Sequence, residues 1–135
     1  MKVGVYSLGD TVITAADTYL GEPVTDLDGM TAVNTQLRFA YGSGGTTARA
    51  WLQTSFDQGV TWVDIACSLF ATASETNLWN HSGLAAVSTP AAPTDATLTD
   101  DTAVQGLLGD RLRLKVVTTG TYAGQTLLSG RIAVR

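Results

Sequence analysis

Very little in this chain lends itself to bond-making chemistry. It has one cysteine, Cys67, one histidine, His81, and three prolines in 135 residues. A lone cysteine excludes an intrachain disulfide, and inside an apolar run it reads as a small buried hydrophobe. A lone histidine excludes a cage of histidines around a metal, and any Ser-His-Asp triad would depend on it alone. Charge is scarce as well. Asp, Glu, Lys and Arg make up 15% of the chain, where about 25% is usual for a soluble domain. No apolar run reaches the roughly 18 residues of a membrane helix. No signal-peptide core of roughly 7–15 apolar residues follows Lys2, so the expectation is folding in a cytoplasm without membrane contact.

Threonine is abundant, at 21 residues. High Thr with Ala, Gly and Val favours strands over surface helices. The dominant spacing is two. In Thr31–Tyr41, Val33, Leu37 and Phe39 alternate with Asn34, Gln36 and Arg38. In Arg111–Thr118, Leu112, Leu114 and Val116 alternate with Arg111, Arg113 and Lys115. Further strands are expected at Val3–Leu8, Thr11–Ala15, Thr47–Ser55, Val60–Cys67, Leu69–Ala73 and Gln125–Val134. Ala103–Leu108 reads as a short strand or one helical turn. Residues 17–28 read as a turn-rich connection, and 82–101, with Pro90 and Pro93, as a long loop of the kind that is functional, a contact arm or flexible. The expectation is one all-β domain over residues 1–135, an antiparallel β-sandwich or jelly-roll-like barrel of about seven to nine strands. A chain this long buries roughly two-thirds of its unfolded surface and folds without staples.

The net charge of −4 conceals an asymmetry. Every acidic residue lies at or before Asp110, and Arg111, Arg113, Lys115, Arg131 and Arg135 follow it. A net acidic chain is a poor nucleic-acid binder. If Arg111–Thr118 and Gln125–Val134 pair as a C-terminal hairpin, the five basic residues share one exposed face. That face is either simply solvated or a docking surface for an acidic partner.

One motif is sharp. Ser55, Asp57, Gly59, Thr61 and Trp62 fit S-x-D-x-G-x-T-W at every fixed position. Asp57 is suited to accept turn amides, Gly59 to supply a positive φ, and Ser55 and Thr61 to bond across the reversal. Trp62 is suited to cover the hairpin base. The segment resembles the Asp-box (BNR-type) hairpin of sialidases and many unrelated β-proteins. That resemblance implies a peripheral structural staple and no catalytic role.

Tests for an enzyme give little. His81 sits in Trp79-Asn80-His81-Ser82, which reads as a polar turn. Asp95, Asp100 and Asp101 read as solvated loop carboxylates, since no calcium-loop spacing surrounds them. Gly42–Gly45 leads into Thr46-Thr47, without the lysine of a phosphate loop. Trp51, Trp62 and Trp79 are expected in core packing; a sugar-binding module would instead present Trp51 or Trp79 as an exposed platform. No catalytic residue, metal ligand or cofactor-binding residue is assigned.

Four segments carry a wider resemblance: residues 21–30 (GEPVTDLDGM), the hairpin at 55–62, residues 107–124 (LLGDRLRLKVVTTGTYAG) and the closing LLSGRIAVR at 127–135. They are similar to a group of small, uncharacterised structural proteins of tailed bacteriophages and prophages. The resemblance implies a non-enzymatic virion protein, assembled in the bacterial host cytoplasm, whose partners are other virion proteins and further copies of itself. A head decoration (cement) protein is the first expectation and a tail or head–tail joining protein the second. A carbohydrate-binding β-sandwich is the rival. Under the first expectation Arg111, Arg113 and Lys115 contact an acidic partner, and the 82–101 loop makes intersubunit contacts.

Overall fold

The computed structural model describes all 135 residues. It contains eleven strands and no helix: β1 (Gly4–Val12), β2 (Thr18–Leu20), β3 (Ala32–Ala40), β4 (Ser43–Gly44), β5 (Thr47–Ser55), β6 (Val63–Phe70), β7 (Glu75–Ser82), β8 (Thr102–Ala103), β9 (Arg111–Thr119), β10 (Tyr122–Ala123) and β11 (Leu127–Val134). A four-stranded sheet runs β1-β11-β3-β7, and a five-stranded sheet runs β2-β9-β5-β6-β8. The two-residue strands β4 and β10 pair with each other. All pairings are antiparallel, and the molecule is a β-sandwich.

The alternating strands form where period two demands them. On β3, Val33, Thr35, Leu37 and Phe39 are buried while Asn34, Gln36 and Arg38 are exposed. On β9, Leu112, Leu114 and Val116 enter the core, joined from across the sandwich by Leu128, Ile132 and Val134 of β11. The core ends in an aromatic group. Phe39 stacks on Phe70 at 5.0 Å between ring centroids, and Tyr122 meets Phe39 edge-on at 5.9 Å. The Tyr122 hydroxyl donates to the Ala71 carbonyl at 2.8 Å, which satisfies its one polar atom. Gly45 is required beside it. Its φ is 71°, and a Cβ there would come within 2.3 Å of the Tyr122 ring.

Four expectations need correction. First, the C-terminal hairpin does not form. β9 pairs with β5 and β2, whereas β11 pairs with β1 and β3 in the opposite sheet. Residues 120–126 carry the chain from one sheet to the other, so the two basic strands never lie side by side. Second, residues 75–82 are a strand. Sequence patterning missed it because Glu-Thr-Asn-Leu-Trp-Asn-His-Ser is mostly polar and puts its two large apolar residues on opposite faces: Leu78 points out, and Trp79 packs against the core. Third, Val3–Leu8 and Thr11–Ala15 are one continuous strand, β1, with a register shift between Ser7 and Gly9. Fourth, the connection at 17–28 contains β2, and only Thr102–Ala103 forms a strand near 103–108.

Candidate functional site

The hairpin between β5 and β6 is held by its own side chains. Asp57 Oδ1 accepts from the Ser55 hydroxyl at 2.9 Å and the Thr61 amide at 2.8 Å, and Oδ2 accepts from the Thr61 hydroxyl at 2.6 Å. Ser55 Oγ accepts from the Gly59 amide at 2.8 Å. Gln58 and Gly59 both take positive φ, at 59° and 89°. The two bonds from Thr61 bring the Asp57 pKa down to about 2. Ser55, Asp57, Gly59 and Thr61 thus act together as the sequence suggests. Trp62 does something the motif did not specify: the Arg113 guanidinium lies over its ring, 4.3 Å from the centroid. The tip itself is apolar and exposed, with Phe56 at 60% and Val60 at 81%.

The long loop is an intramolecular cover. It lies over the outer face of the five-stranded sheet, anchored on Asp64 of β6. Asp64 is buried, and its carboxylate accepts from Gln53 Nε2 (2.8 Å), the Thr94 hydroxyl (2.9 Å) and the amides of Ala96, Thr97 and Leu98 (2.9, 3.1 and 3.1 Å). Three successive amides converging on one carboxylate form an anion-binding nest, and here the chain fills it with its own side chain. Ala96 adopts φ 59° to make the turn. Trp51 of β5 lies beneath and donates its indole N–H to the Leu98 carbonyl at 3.1 Å. Asp100 receives Arg49 on both oxygens, at 2.8 and 3.2 Å. Asp95 accepts from Gln53 at 2.7 Å and from Lys115 at 3.1 Å, and the Gln53 bond leads the causes that lower its pKa. Asp101 accepts the Leu69 amide. The three carboxylates expected to be solvated are therefore ligands that tie the loop down. Residues 94–101 are committed within the chain; only 83–93 remain for contacts elsewhere.

The five basic residues fall on different surfaces. Arg111, Arg113 and Lys115 line the outer face of the five-stranded sheet, and Arg131 the outer face of the other. Four of the five are engaged. Arg111 pairs with Asp110 at 3.1 Å, Lys115 with Asp95 at 3.1 Å, and Arg131 with Asp10 at 3.0 Å. Arg113 bonds Gln53 Oε1 at 2.9 Å while covering Trp62. Arg135, the last residue, is exposed. The single basic face expected from a terminal hairpin is absent because its two strands belong to different sheets.

His81 and Cys67 are both withdrawn from solvent. His81 lies on β7 at 1% exposure, with Nε2 2.8 Å from the Ile65 carbonyl. Burial pushes its pKa down, which favours the neutral ring. Its Nδ1 has no partner, nor has the buried Thr35 hydroxyl on the neighbouring strand β3. The Cys67 thiol is pushed up to about 12, first by burial and then by Asp100. A thiol so placed is inert rather than nucleophilic. Trp51 is buried, and Trp79 gives its indole N–H to Ser68 Oγ at 2.8 Å. Trp79 is only half-buried, so neither ring is the fully exposed platform that the sugar-binding expectation describes.

What remains open is the outer face of the four-stranded sheet. A shallow groove of about 630 Å³ crosses it, bordered by Val5, Asn34, Gln36, Leu78, Asn80 and Ala133. Val5 and Leu78 are each 73% exposed. The fold and this surface define a β-sandwich with one sheet covered by its own chain and one sheet bare. The chain matches no known protein family, and no curated protein is similar to it in sequence.

Proposed function

We propose that this chain is a non-enzymatic structural protein of a tailed bacteriophage particle, and that it works as a head decoration protein seated on the capsid. The particle assignment comes from the four segments that resemble such proteins. The observation that carries a binding role is the contrast between the two outer faces. One is covered by residues 94–101, and the other leaves Val5 and Leu78 in solvent around a groove. Exposed apolar residues grouped around a concave surface mark interaction sites. A catalytic role for His81, the one histidine, is opposed by its burial, and a nucleophilic role for Cys67 by its raised pKa. The carbohydrate-binding alternative loses support with Trp51 covered and Trp79 tied to Ser68.

The test uses particles of the phage or prophage that encodes the chain, made with its gene deleted. Heads and tails are separated, mixed with purified protein and sedimented. Saturable co-sedimentation with heads is the expected result. Binding to tails or to the connector alone moves the protein to the head–tail or tail position, and binding to neither overturns the proposal.

A further inference from the structure

The two sheets also end differently. The five-stranded sheet closes on β2 and β8, of three and two residues. Edge strands that short give another chain little to pair with. The four-stranded sheet ends on β1 and β7, of nine and eight residues. β1 is blunted by its register shift at Ser7/Gly9 and by the charge of Asp10. β7 has no register shift, and its one charge, Glu75, stands at its first residue. Its register with β3 is unbroken from Ser82 to Glu75, and Thr76–Ser82 contains no Asp, Glu, Lys or Arg.

The register also tells which main-chain groups of β7 are free. Ala32 exchanges both its main-chain bonds with Arg135, at 3.0 and 2.9 Å, on the β11 side of β3. Residues two apart along β3 point the same way, so Ser82, Asn80, Leu78 and Thr76, which lie opposite them, turn their N–H and C=O groups away from β3. At one end this outward row is already occupied. The Gln105 side chain accepts from the Ser82 amide at 3.3 Å and donates to the Asn80 carbonyl at 3.0 Å. The Gly106 amide donates to the Ser82 carbonyl at 3.1 Å. The Gln105 amide thus stands where the peptide of a neighbouring strand would stand. Past it, Leu78 and Thr76 have no main-chain partner on that side.

We propose that β7 pairs antiparallel with β7 of a second copy, about a twofold axis at Leu78. The segment is self-complementary in this register. The Leu78 N–H of each copy meets the Leu78 C=O of the other, and the Asn80 N–H of each meets the Thr76 C=O of the other, while the Asn80 C=O stays with Gln105. The two Leu78 side chains come together beside the groove, as a cross-strand apolar pair. Gln105 stops the pairing from running past Asn80 and so fixes its register. The product is a closed dimer with one continuous sheet, four strands from each copy.

The inference deepens the reading of the chain as a structural protein that assembles with itself, and its test separates the two. Sedimentation equilibrium of the wild-type protein is expected to show a monomer–dimer equilibrium. Leu78→Lys should weaken the dimer about tenfold or more by placing two like charges opposite each other. Val12→Lys, on the other long edge, should leave it unchanged. Leu78→Pro removes an N–H that the monomer does not use and should also abolish the dimer. Hydrogen exchange at Leu78 and Asn80 should slow as wild-type concentration rises. A monomer up to the solubility limit overturns the inference, as does a dimer indifferent to both Leu78 substitutions. Failure here with head binding intact leaves the particle role standing. Dimerisation without binding to heads or tails leaves β7 pairing and removes that role.

Discussion

The outer faces of the two sheets are made from similar alternating strands and meet different fates. On the five-stranded sheet, Trp51 and Gln53 point outward and are nonetheless buried, because residues 94–101 fold back over them. On the four-stranded sheet, Asn34, Gln36 and Arg38 point outward and stay in water. The difference traces to one carboxylate. Ordering a long loop costs roughly 1–2 kcal/mol of backbone entropy per residue. Asp64, with five donors on its two oxygens, and the indole of Trp51 offset that cost at one sheet. The other sheet has no such anchor, and its face and its β7 edge stay open. One face of the domain is thus covered by its own chain and the other is left bare.

The largest break in this comparison is Asp64→Ala. It leaves the Thr94 hydroxyl and three loop amides without their acceptor and Gln53 Nε2 with Asp95 alone, and should lower unfolding free energy by about 3–5 kcal/mol in urea titration. Trp51 emission should shift to the red as the loop lifts, making the covered sheet resemble the bare one. Acidification should act next, through the hairpin staple. The folded Asp57 pKa of about 2 lies below its unfolded value, so its contribution is complete at neutral pH and is lost as pH falls from about 4 through about 2. Asp57→Asn should flatten that part of the acid unfolding profile, measured by circular dichroism. Arg113→Ala, which uncovers Trp62 and frees Gln53 Oε1, should cost about 1 kcal/mol. A double-mutant cycle with Trp62→Ala isolates the ring contact. The smallest effect belongs to the bare sheet. Leu78→Ser should change monomer stability by no more than about 0.5 kcal/mol by thermal melting, since the side chain is 73% exposed. A large loss there would show that this face is not free.

Much of the fold is legible in the sequence where one face of a strand is apolar. β3, β5, β9 and β11 sit within a residue or two of their expected limits, and the inward residues of β3 and β9 include the expected ones. The staple residues Ser55, Asp57, Gly59 and Thr61 are legible for a similar reason, since all their bonds span four residues or fewer. β7 was hidden because an edge strand with a solvated face needs few apolar residues. Asp64 gave no signal, for its donors lie thirty or more residues away in the loop, apart from Gln53 across the β5–β6 pair. The basic residues misled. Consecutive strands usually pair, but β9 and β11 are separated by a crossing between sheets.

The sequence by itself determined an all-β domain, the period-two faces of its main strands and the stapled hairpin. Each of these rests on steric preference and hydrogen bonds that close within a short stretch of chain. Only the tertiary structure decided which strands are neighbours, which charges neutralise one another, that the long loop seals one sheet, and that β7 ends the other with an open edge. Those outcomes depend on contacts between residues distant in the chain. Such contacts bring little local preference with them, so they take effect only once the two sheets have packed.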